Sequence, residues 1–283
     1  MFKNLFKTIY YFLFDILAFF RNLDQKYNFI IITPRLFSKL TKKSLIFDKL
    51  NNKMFFQNIR NDFDLITIHE IFSDESYNLR NFKIWSKINE KFNGYFQNNN
   101  TPLIIDCGSN IGSSSEYFRR VYKNAEIIMI EPDKNNLEFS KKNVSIKSEF
   151  YVNKAISSEE KILKFSNKSE DNRAFKVTNN GNLEIESTTV QNLLDITGEN
   201  LKPFLIKIDI EGYEKNLFEK NFMWFKNFDI IIIELHDWML PSKHNSKNFF
   251  SAFYKTINDE INYDFLVSGE NLILIKNDTN KNK

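Results

Sequence analysis

The fold of this chain is decided by Leu103-Ile104-Ile105-Asp106-Cys107-Gly108-Ser109-Asn110-Ile111-Gly112. An apolar run typical of a buried strand ends in an acid, Asp106, and passes through two glycines into a segment typical of a helix start. Gly108 and Gly112 let the backbone turn tightly and approach a ligand, because they carry no Cβ. Ligands of open α/β sheets bind at the carboxyl ends of the strands. The stretch therefore predicts a ligand-binding strand end.

Beyond residue 102, short β-rich runs alternate with amphipathic helical segments, as expected of a parallel sheet covered on both faces. Gly269-Glu270 separates the last two strands, which predicts an antiparallel hairpin. Residues 161–187, with Gly181 at the tip, predict an inserted hairpin. The prediction is an α/β, Rossmann-like fold with a seven-stranded, mostly parallel sheet. Its strands are 103–106, 126–130, 149–156, 204–210, 229–235, 265–268 and 271–276, and its helices 113–122, 134–142, 189–197, 213–218 and 247–260.

The part before this alternation is helix-like and has no glycine-rich loop. We predict an N-terminal helical extension or lid over 1–98, the ligand-binding domain over 99–277 and a flexible tail over 278–283. The apolar stretch 9–20 contains Asp15, is too short to span a bilayer and lacks a cleavage pattern. It predicts a helix that packs on the domain, and the alternative is a helix lying on a membrane surface.

Composition bounds the function. The 283 residues are 42% apolar, enough for a sizeable core, and the net charge is +3 without a run of five basic residues, so a nucleic-acid partner is not expected. One cysteine and three histidines allow neither an internal disulfide nor a structural zinc site, and a cytoplasmic protein fits best. We expect Cys107 to fill space beside its strand and His69 and His244 to lie on the surface or in loops.

The second strand ends in another acid, Glu131, followed by Pro132. A carboxylate there can accept hydrogen bonds from both hydroxyls of an adenosyl ribose; the alternative is a solvated strand-end acid or a helix cap. Asp106 suits the cationic end of a methionine moiety. Asn110 occupies the place where a second glycine lets the pyrophosphate of a dinucleotide approach, which counts against NAD.

Two later strand ends also carry polar clusters. Strand alternation places Lys207, Asp209 and Glu211 on one face, and Glu234 and His236 on one face of the next strand. Since a lysine inside a central strand needs a partner, Asp209, Glu211 or Glu234 is its expected counter-charge. His236 is the best candidate base by residue type, with Asp209 next and Glu211 beside them. The alternative for His236 is a hydrogen-bonded structural histidine.

With these residues assembled, the chain resembles the FkbM family of methyltransferases, a branch of the class I S-adenosylmethionine enzymes, from about residue 73 to 250. The segment from Lys207 to Glu214, K-I-D-I-E-G-Y-E, is the most specific part of the resemblance. One departure is Cys107-Gly108-Ser109, where the family more often has Val-Gly-Ala. The matching segments are 106–112, 131–132, 153–157, 207–214 and 234–238.

This resemblance implies a site for S-adenosylmethionine and a methyl acceptor. It implies an O-methyltransferase for a hydroxyl of a carbohydrate or other small acceptor, in glycan or secondary-metabolite biosynthesis. The acids near the pocket could hold a metal ion but form no compelling ligand set, so none is expected. The alternatives are an NAD-dependent nucleotide-sugar oxidoreductase and an inactive cofactor-binding scaffold. The residues implied in cofactor binding are Asp106, Gly108, Asn110, Gly112 and Glu131, with Asn153 and Ala155 near the adenine, and the candidate catalytic residues are His236, Asp209 and Glu211.

Overall fold

The computed structural model describes residues 2–147, 150–166, 176–177, 183–257 and 261–278. The chain divides into two compact units. The first unit comprises Met1–Asn89, Ile111–Lys123 and Glu138–Ser145, and the second unit comprises Glu90–Asn110, Asn124–Leu137 and Ile146–Lys283. The predicted boundary between residues 98 and 99 and the predicted tail stay predictions.

Helices and strands follow one another along the chain in a mixed order. Up to residue 121 they are α1 (Phe2–Asn22), β1 (Phe29–Ile31), α2 (Arg35–Thr41), β2 (Lys43–Asp48), β3 (Lys53–Asn58), α3 (Asp62–Phe72), α4 (Trp85–Gln97), β4 (Thr101–Cys107) and α5 (Ser113–Val121). Then follow β5 (Glu126–Ile130), α6 (Lys134–Ser140), β6 (Tyr151–Val152), β7 (Ala155–Ile156), β8 (Ile162–Ser166), β9 (Lys176–Val177), β10 (Leu183–Thr188), α7 (Val190–Asp195), β11 (Leu201–Ile208), α8 (Glu214–Leu217), a 3₁₀ helix (Met223–Asn227), β12 (Ile230–Glu234), α9 (Ser246–Thr256), β13 (Ile261–Ser268) and β14 (Asn271–Asp278).

The first unit contains α1, α2, α3 and a three-stranded antiparallel sheet in the order β1-β2-β3. Its core includes Phe29, Phe55, Phe72 and Tyr117, with ring centroids 5.2 to 6.2 Å apart. The three contacts among the phenylalanines are edge-to-face, a geometry that stabilises a core beyond the area it buries. The helix-like pattern predicted before residue 98 is correct for the helices but misses this sheet.

The second unit contains the predicted seven-stranded sheet, in the order β13-β14-β12-β11-β4-β5-β6. β12, β11, β4, β5 and β6 are parallel neighbours, and β14 pairs antiparallel with both β12 and β13. The strands read as apolar runs because both faces are covered, and Ile231, Ile232 and Ile233 have no exposed surface. The predicted fold is confirmed, and β5 has the predicted bounds.

One predicted strand needs correction. The strand expected over 149–156 is divided at Asn153 and Lys154, so that β6 joins the large sheet and β7 joins a second sheet in the order β7-β10-β8-β9. Within that sheet β8 and β10 pair antiparallel, as the inserted hairpin predicts. Gly181, its predicted tip, lies outside the described residues.

Cys107 and the two histidines outside the predicted site, His69 and His244, differ in their exposure to solvent. Cys107 is fully buried and free, as expected of a space-filling residue. His244 is exposed, as expected. His69 is only 4% exposed, because it lies on the inner face of α3, so the prediction of a surface residue is wrong. None of the described helices combines the length and apolar character that crossing a membrane requires.

Candidate active site

The glycine turn after β4 is fixed by close backbone contacts. Gly108 has φ of 78°, and a Cβ on it would lie 1.8 Å from the carbonyl oxygen of Asp209. The backbone N–H groups of Gly108 and Ser109 both donate to the carbonyl of Ile130, at 2.9 and 3.1 Å. Glycine is therefore required at 108 by the chain itself, since the segment after β11 approaches closer than any side chain permits.

Glu131, at the end of β5, turns its carboxylate to this loop. Its Oε2 accepts a hydrogen bond from the backbone N–H of Asn110 at 2.8 Å, and its Oε1 accepts one from Asp133 at 2.9 Å. Asn110 has φ of 46°, which aims its N–H group at the acid. Oε2 keeps a further lone pair for a ligand, and Oε1 has a second, long contact with Nδ2 of Asn136 at 3.5 Å. Burial raises the pKa of Glu131 to about 7.

Asn153 stabilises the end of β5 by hydrogen bonds to its backbone. Its Nδ2 donates to the carbonyl oxygens of Glu131 and Pro132, at 2.9 and 3.0 Å. Ala155 is 5% exposed and packs beside Leu163 in the smaller sheet. The predicted positions of both residues near an adenine stay predictions.

Gly112 is the predicted cofactor residue that lies in the first unit. It has φ of 84° and occupies the N-cap of α5. The backbone there is left-handed, which favours glycine over a residue with a Cβ.

Asp106 is fully buried and lies against Lys207, which is 2% exposed. The Lys207 Nζ is 3.3 Å from Asp106 Oδ1 and 3.3 Å from Asp209 Oδ2, and it donates to the Gly108 carbonyl at 2.9 Å. The expected pairing of Lys207 with Asp209 is present, whereas its second partner is Asp106 rather than Glu211 or Glu234. A buried lysine with two carboxylates fixes the glycine turn against β11.

His236 stands at the centre of the cluster that the ends of β11 and β12 form. Its Nε2 lies 3.4 Å from Glu234 Oε1, 3.7 Å from Asp209 Oδ1 and 4.0 Å from Glu211 Oε2. The residue is 2% exposed. The structure thus brings together the three residues that the sequence predicts as catalytic.

Glu214 holds the imidazole from the other side. Its Oε1 is 2.9 Å from Nδ1 of His236, and its Oε2 accepts a hydrogen bond from Nδ2 of Asn245 at 3.1 Å. Glu214 is fully buried at the start of α8. The sequence marks Glu214 only as part of a motif and does not mark Asn245. The spacing of Glu214 after Glu211 could have indicated the role of Glu214, whereas no sequence pattern points to Asn245.

The charges of this cluster act on each other. Burial by itself lowers the pKa of His236, but the hydrogen bond and charge of Glu214, with the charges of Asp209 and Glu234, raise it to about 9. Burial and the charge of Asp209 raise the pKa of Glu234 to about 8. The imidazole therefore carries a proton at neutral pH, and it balances part of the surrounding negative charge.

Asp209, Glu234 and His236 each offer one ligand atom, and these atoms lie within 4.8 Å of one another. A carboxylate and imidazole group of this size could hold a divalent cation. Protonation of His236 competes with cation binding, because the proton on the imidazole also balances the negative charge of the carboxylates. The predicted absence of a metal stays a prediction.

Comparison with known proteins gives a family and a set of distant structures. No curated protein matches the sequence. An O-methyltransferase from Bacillus cereus, solved in complex with SAH, is 14% identical and has a TM-score of 0.36, with 77% of this chain and 92% of that chain covered. The magnesium protoporphyrin IX methyltransferase from Synechocystis PCC 6803, with bound SAM, is 10% identical and has a TM-score of 0.34, with 77% and 85% covered.

The family match is more direct. Residues 106–262 match the model of the methyltransferase FkbM domain, which is more than half of the chain. The matched span begins at Asp106, contains Glu131 and Glu214, and extends past His236. It sets aside the NAD-dependent oxidoreductase as an alternative. This chain belongs to the FkbM methyltransferase family, whose cofactor is S-adenosylmethionine.

Proposed function

We propose that this protein transfers the methyl group of S-adenosylmethionine to a hydroxyl oxygen of a carbohydrate or other small acceptor. The observation that carries the cofactor part is the carboxylate of Glu131. It is held by two backbone N–H groups, one on each oxygen, and so offers each hydroxyl of a ribose its own acceptor. Asn110 Oδ1 is buried beside it without a hydrogen bond from the described residues and suits a further donor on the ligand.

The charge at the glycine turn fits the rest of the cofactor. Asp106 and Asp209 flank the single ammonium of Lys207, so the group keeps one negative charge. That charge favours the cationic methionine end of the ligand. Bound S-adenosylmethionine supplies an electrophilic methyl group on a positively charged sulfur. Asn110, Glu131 and the turn at Gly108 form what we call the cofactor end of the site.

The acceptor end is the cluster of Asp209, Glu211, Glu214, Glu234 and His236. A hydroxyl is a weak nucleophile until a base takes its proton. We assign that step to Nε2 of His236, with Asp209 and Glu211 orienting the hydroxyl. Since the base must be neutral, the pKa of about 9 implies a rate that rises with pH to about 9.

The proposal also covers the acceptor, the pathway and the cellular location of the protein. We propose a glycan or secondary-metabolite hydroxyl as the acceptor rather than nucleic acid, because the chain has no run of five or more lysines and arginines to follow a phosphate backbone. We propose that the protein acts in the cytoplasm and that α1 makes a peripheral contact with a membrane.

Isothermal titration with S-adenosylhomocysteine tests the cofactor end. Glu131→Ala removes both ribose acceptors and should weaken binding about 100-fold or more, since hydrogen bonds to a charged group contribute about 1.5–3 kcal/mol each. Glu126→Ala, at the opposite end of β5, is the matched control and should bind as the native protein does. Undiminished affinity in Glu131→Ala would overturn the assignment.

The methyl transfer itself needs an acceptor. Extracts with and without the protein can be compared by mass spectrometry for glycans and small molecules that differ by one CH₂ group. A protein that binds the cofactor but adds no such group to any extract component would be the inactive scaffold.

A further inference from the structure

Large apolar side chains are exposed over the N-terminal part of the first unit. Of the 24 large apolar side chains that are exposed among the described residues, 14 lie before residue 57. Scattered exposed apolar residues are ordinary, but a concentration of this kind marks an interaction surface. They are Ile9, Tyr10, Phe12, Leu13, Phe14, Ile16, Leu17, Phe20 and Leu23 on and after α1, Leu36, Phe37 and Leu40 on α2, and Met54 and Phe56 on β3.

The sheet of the first unit exposes apolar side chains although several of its buried positions are polar, which argues against accidental exposure. On β2 the buried positions include Ser44 and Asp48, and on β3 they include Gln57. Met54 and Phe56 of β3 are 57% and 55% exposed. A half-buried strand in a water-soluble sheet normally points its apolar residues inward. In this sheet Ile46 and Phe55 share the buried face with polar residues, while other apolar side chains face outward.

The same segment is strongly basic. The first 60 residues contain eleven lysines and arginines and three aspartates, a charge of +8, while the whole chain carries +3, so the remaining residues carry −5. Lys42, Lys43 and Lys53 are exposed next to the apolar positions of α2 and β3. These lysines add positive charge beside the exposed apolar side chains, which makes this surface complementary to a negatively charged one.

Two of the three aspartates of this segment are withdrawn from the surface, and the third, Asp24, is exposed. Asp15, the only charged residue between positions 9 and 20, has a 7% exposed side chain and binds Arg35. Asp48 is fully buried and binds Arg120. Burial of these two carboxylates removes most of the segment's negative charge from its surface.

We propose that this basic apolar face, formed by the outward residues of α1, α2 and β3, docks on the surface of an anionic lipid bilayer. α1, 21 residues long, would lie in the plane of the interface with its apolar side chains among the headgroups and upper acyl chains. The lysines beside α2 and β3 would contact anionic headgroups. A second copy of this chain is disfavoured as the occupant, because two segments of charge +8 would face each other.

The proposed function includes a peripheral membrane contact of α1, and this inference names an anionic bilayer as that membrane. It rests on the membrane contact and does not depend on methyl transfer. Lipid binding and cofactor binding can therefore be measured on the same purified full-length protein. Loss of one leaves the other intact.

Vesicle flotation is the direct test. The native protein should float with vesicles of phosphatidylcholine containing about 30% phosphatidylglycerol, bind those of pure phosphatidylcholine at least about tenfold more weakly, and lose the difference at high salt. Leu17→Glu and Leu40→Glu, at positions 68% and 73% exposed, should abolish flotation. Tyr254→Glu on α9, at a position 77% exposed, is the matched control and should float normally.

The charge contribution is tested separately. Lys42→Ala combined with Lys53→Ala should weaken binding to the anionic vesicles about 10- to 30-fold, at about 1 kcal/mol for each lysine, while leaving binding to the neutral vesicles unchanged. Each variant should keep its affinity for S-adenosylhomocysteine, which separates a failed surface from a misfolded protein.

Two outcomes would overturn the proposal. One is native protein that stays with the soluble fraction for both kinds of vesicle. The other is a stable dimer in light scattering that Leu17→Glu converts to a monomer, since the face would then be an interface between copies.

Discussion

The cofactor end and the acceptor end of the site hold their carboxylates in different ways. At the cofactor end, Glu131 is held by backbone N–H groups of Asn110 and Asp133. At the acceptor end, His236 is held by a side chain, Glu214, which is in turn held by the side chain of Asn245 and by the backbone N–H of Gly212. Backbone donors come from the local conformation of the turn, whereas side-chain donors depend on contacts between residues far apart in sequence.

The difference also appears in the charges. Glu131 is surrounded by neutral donors, so burial dominates and its pKa is raised to about 7. His236 is surrounded by carboxylates, so their charge exceeds the cost of burial and its pKa is raised to about 9. We therefore expect the cofactor end to control affinity and the acceptor end to control rate.

The largest effect is expected from removing the base. His236→Ala should lower kcat about 10²- to 10⁴-fold, the usual contribution of a positioned general base. The affinity for S-adenosylhomocysteine should stay within about twofold, because the imidazole is not part of the cofactor end. Single-turnover kinetics and calorimetry would measure the two quantities. An equal loss in both would mean that the two ends do not act separately.

The second prediction concerns stability against pH. The pKa of Glu131 is raised from 4.5 to about 7, so the stability that its protonated form contributes is present below pH 4.5 and lost as pH rises through 7. The pKa of His236 is raised from 6.5 to about 9, so its contribution is present below pH 6.5 and lost as pH rises through 9. Each shift corresponds to about 3 kcal/mol.

Urea unfolding of the unliganded protein at several pH values separates the two windows. Glu131→Gln should remove the slope of the free energy of unfolding between about pH 4.5 and 7, and Glu214→Gln should reduce the slope between about pH 6.5 and 9. Parallel pH profiles for the native protein and both variants would contradict the assignment of the two windows.

The cofactor end can be predicted from sequence because its pieces are local. The glycine turn, the acid at the end of the second strand and the parallel order of the sheet each follow from a short run of residues. The contact of Gly108 with Asp209, by contrast, joins two strands 101 positions apart in sequence. The role of Asn245 depends on a similar long-range approach to Glu214, so no spacing pattern indicates it.

The first unit is the harder part to predict. Its strands β2 and β3 bury Ser44, Asp48 and Gln57 together with Ile46 and Phe55 and expose Met54 and Phe56. Hydrophobic alternation therefore marks neither face of this sheet consistently. The sequence places His69 at the surface, yet it is buried with both ring nitrogens lacking hydrogen bonds from the described residues, beside a cavity of about 130 Å³. Polar residues that turn inward are set by tertiary contacts, which the sequence pattern does not show.

The third prediction isolates the positioning residue. Glu214→Gln keeps an oxygen beside Nδ1 of His236 but removes a negative charge, so the inflection of the pH–rate profile should move below its value of about 9 in the native protein. The limiting rate at high pH should fall about tenfold, because an amide orients the imidazole less firmly. A profile that keeps its inflection, with a lower rate at every pH, would mean that Glu214 acts only in folding.

The smallest effect is expected from a chelator. Protonated His236 already neutralises part of the charge of this cluster, and the raised pKa of Glu234 lowers that charge further, so we expect the acceptor end to be stable without a divalent cation. EDTA should therefore leave kcat unchanged within about twofold, and Mn²⁺ added afterwards should have no effect. If EDTA instead abolished turnover and Mn²⁺ restored it, while binding of S-adenosylhomocysteine stayed constant, Asp209, Glu234 and His236 would be metal ligands. The proton of the acceptor hydroxyl would then need a different base, and the acceptor end would differ from the cofactor end in holding an ion as well as in its side-chain supports.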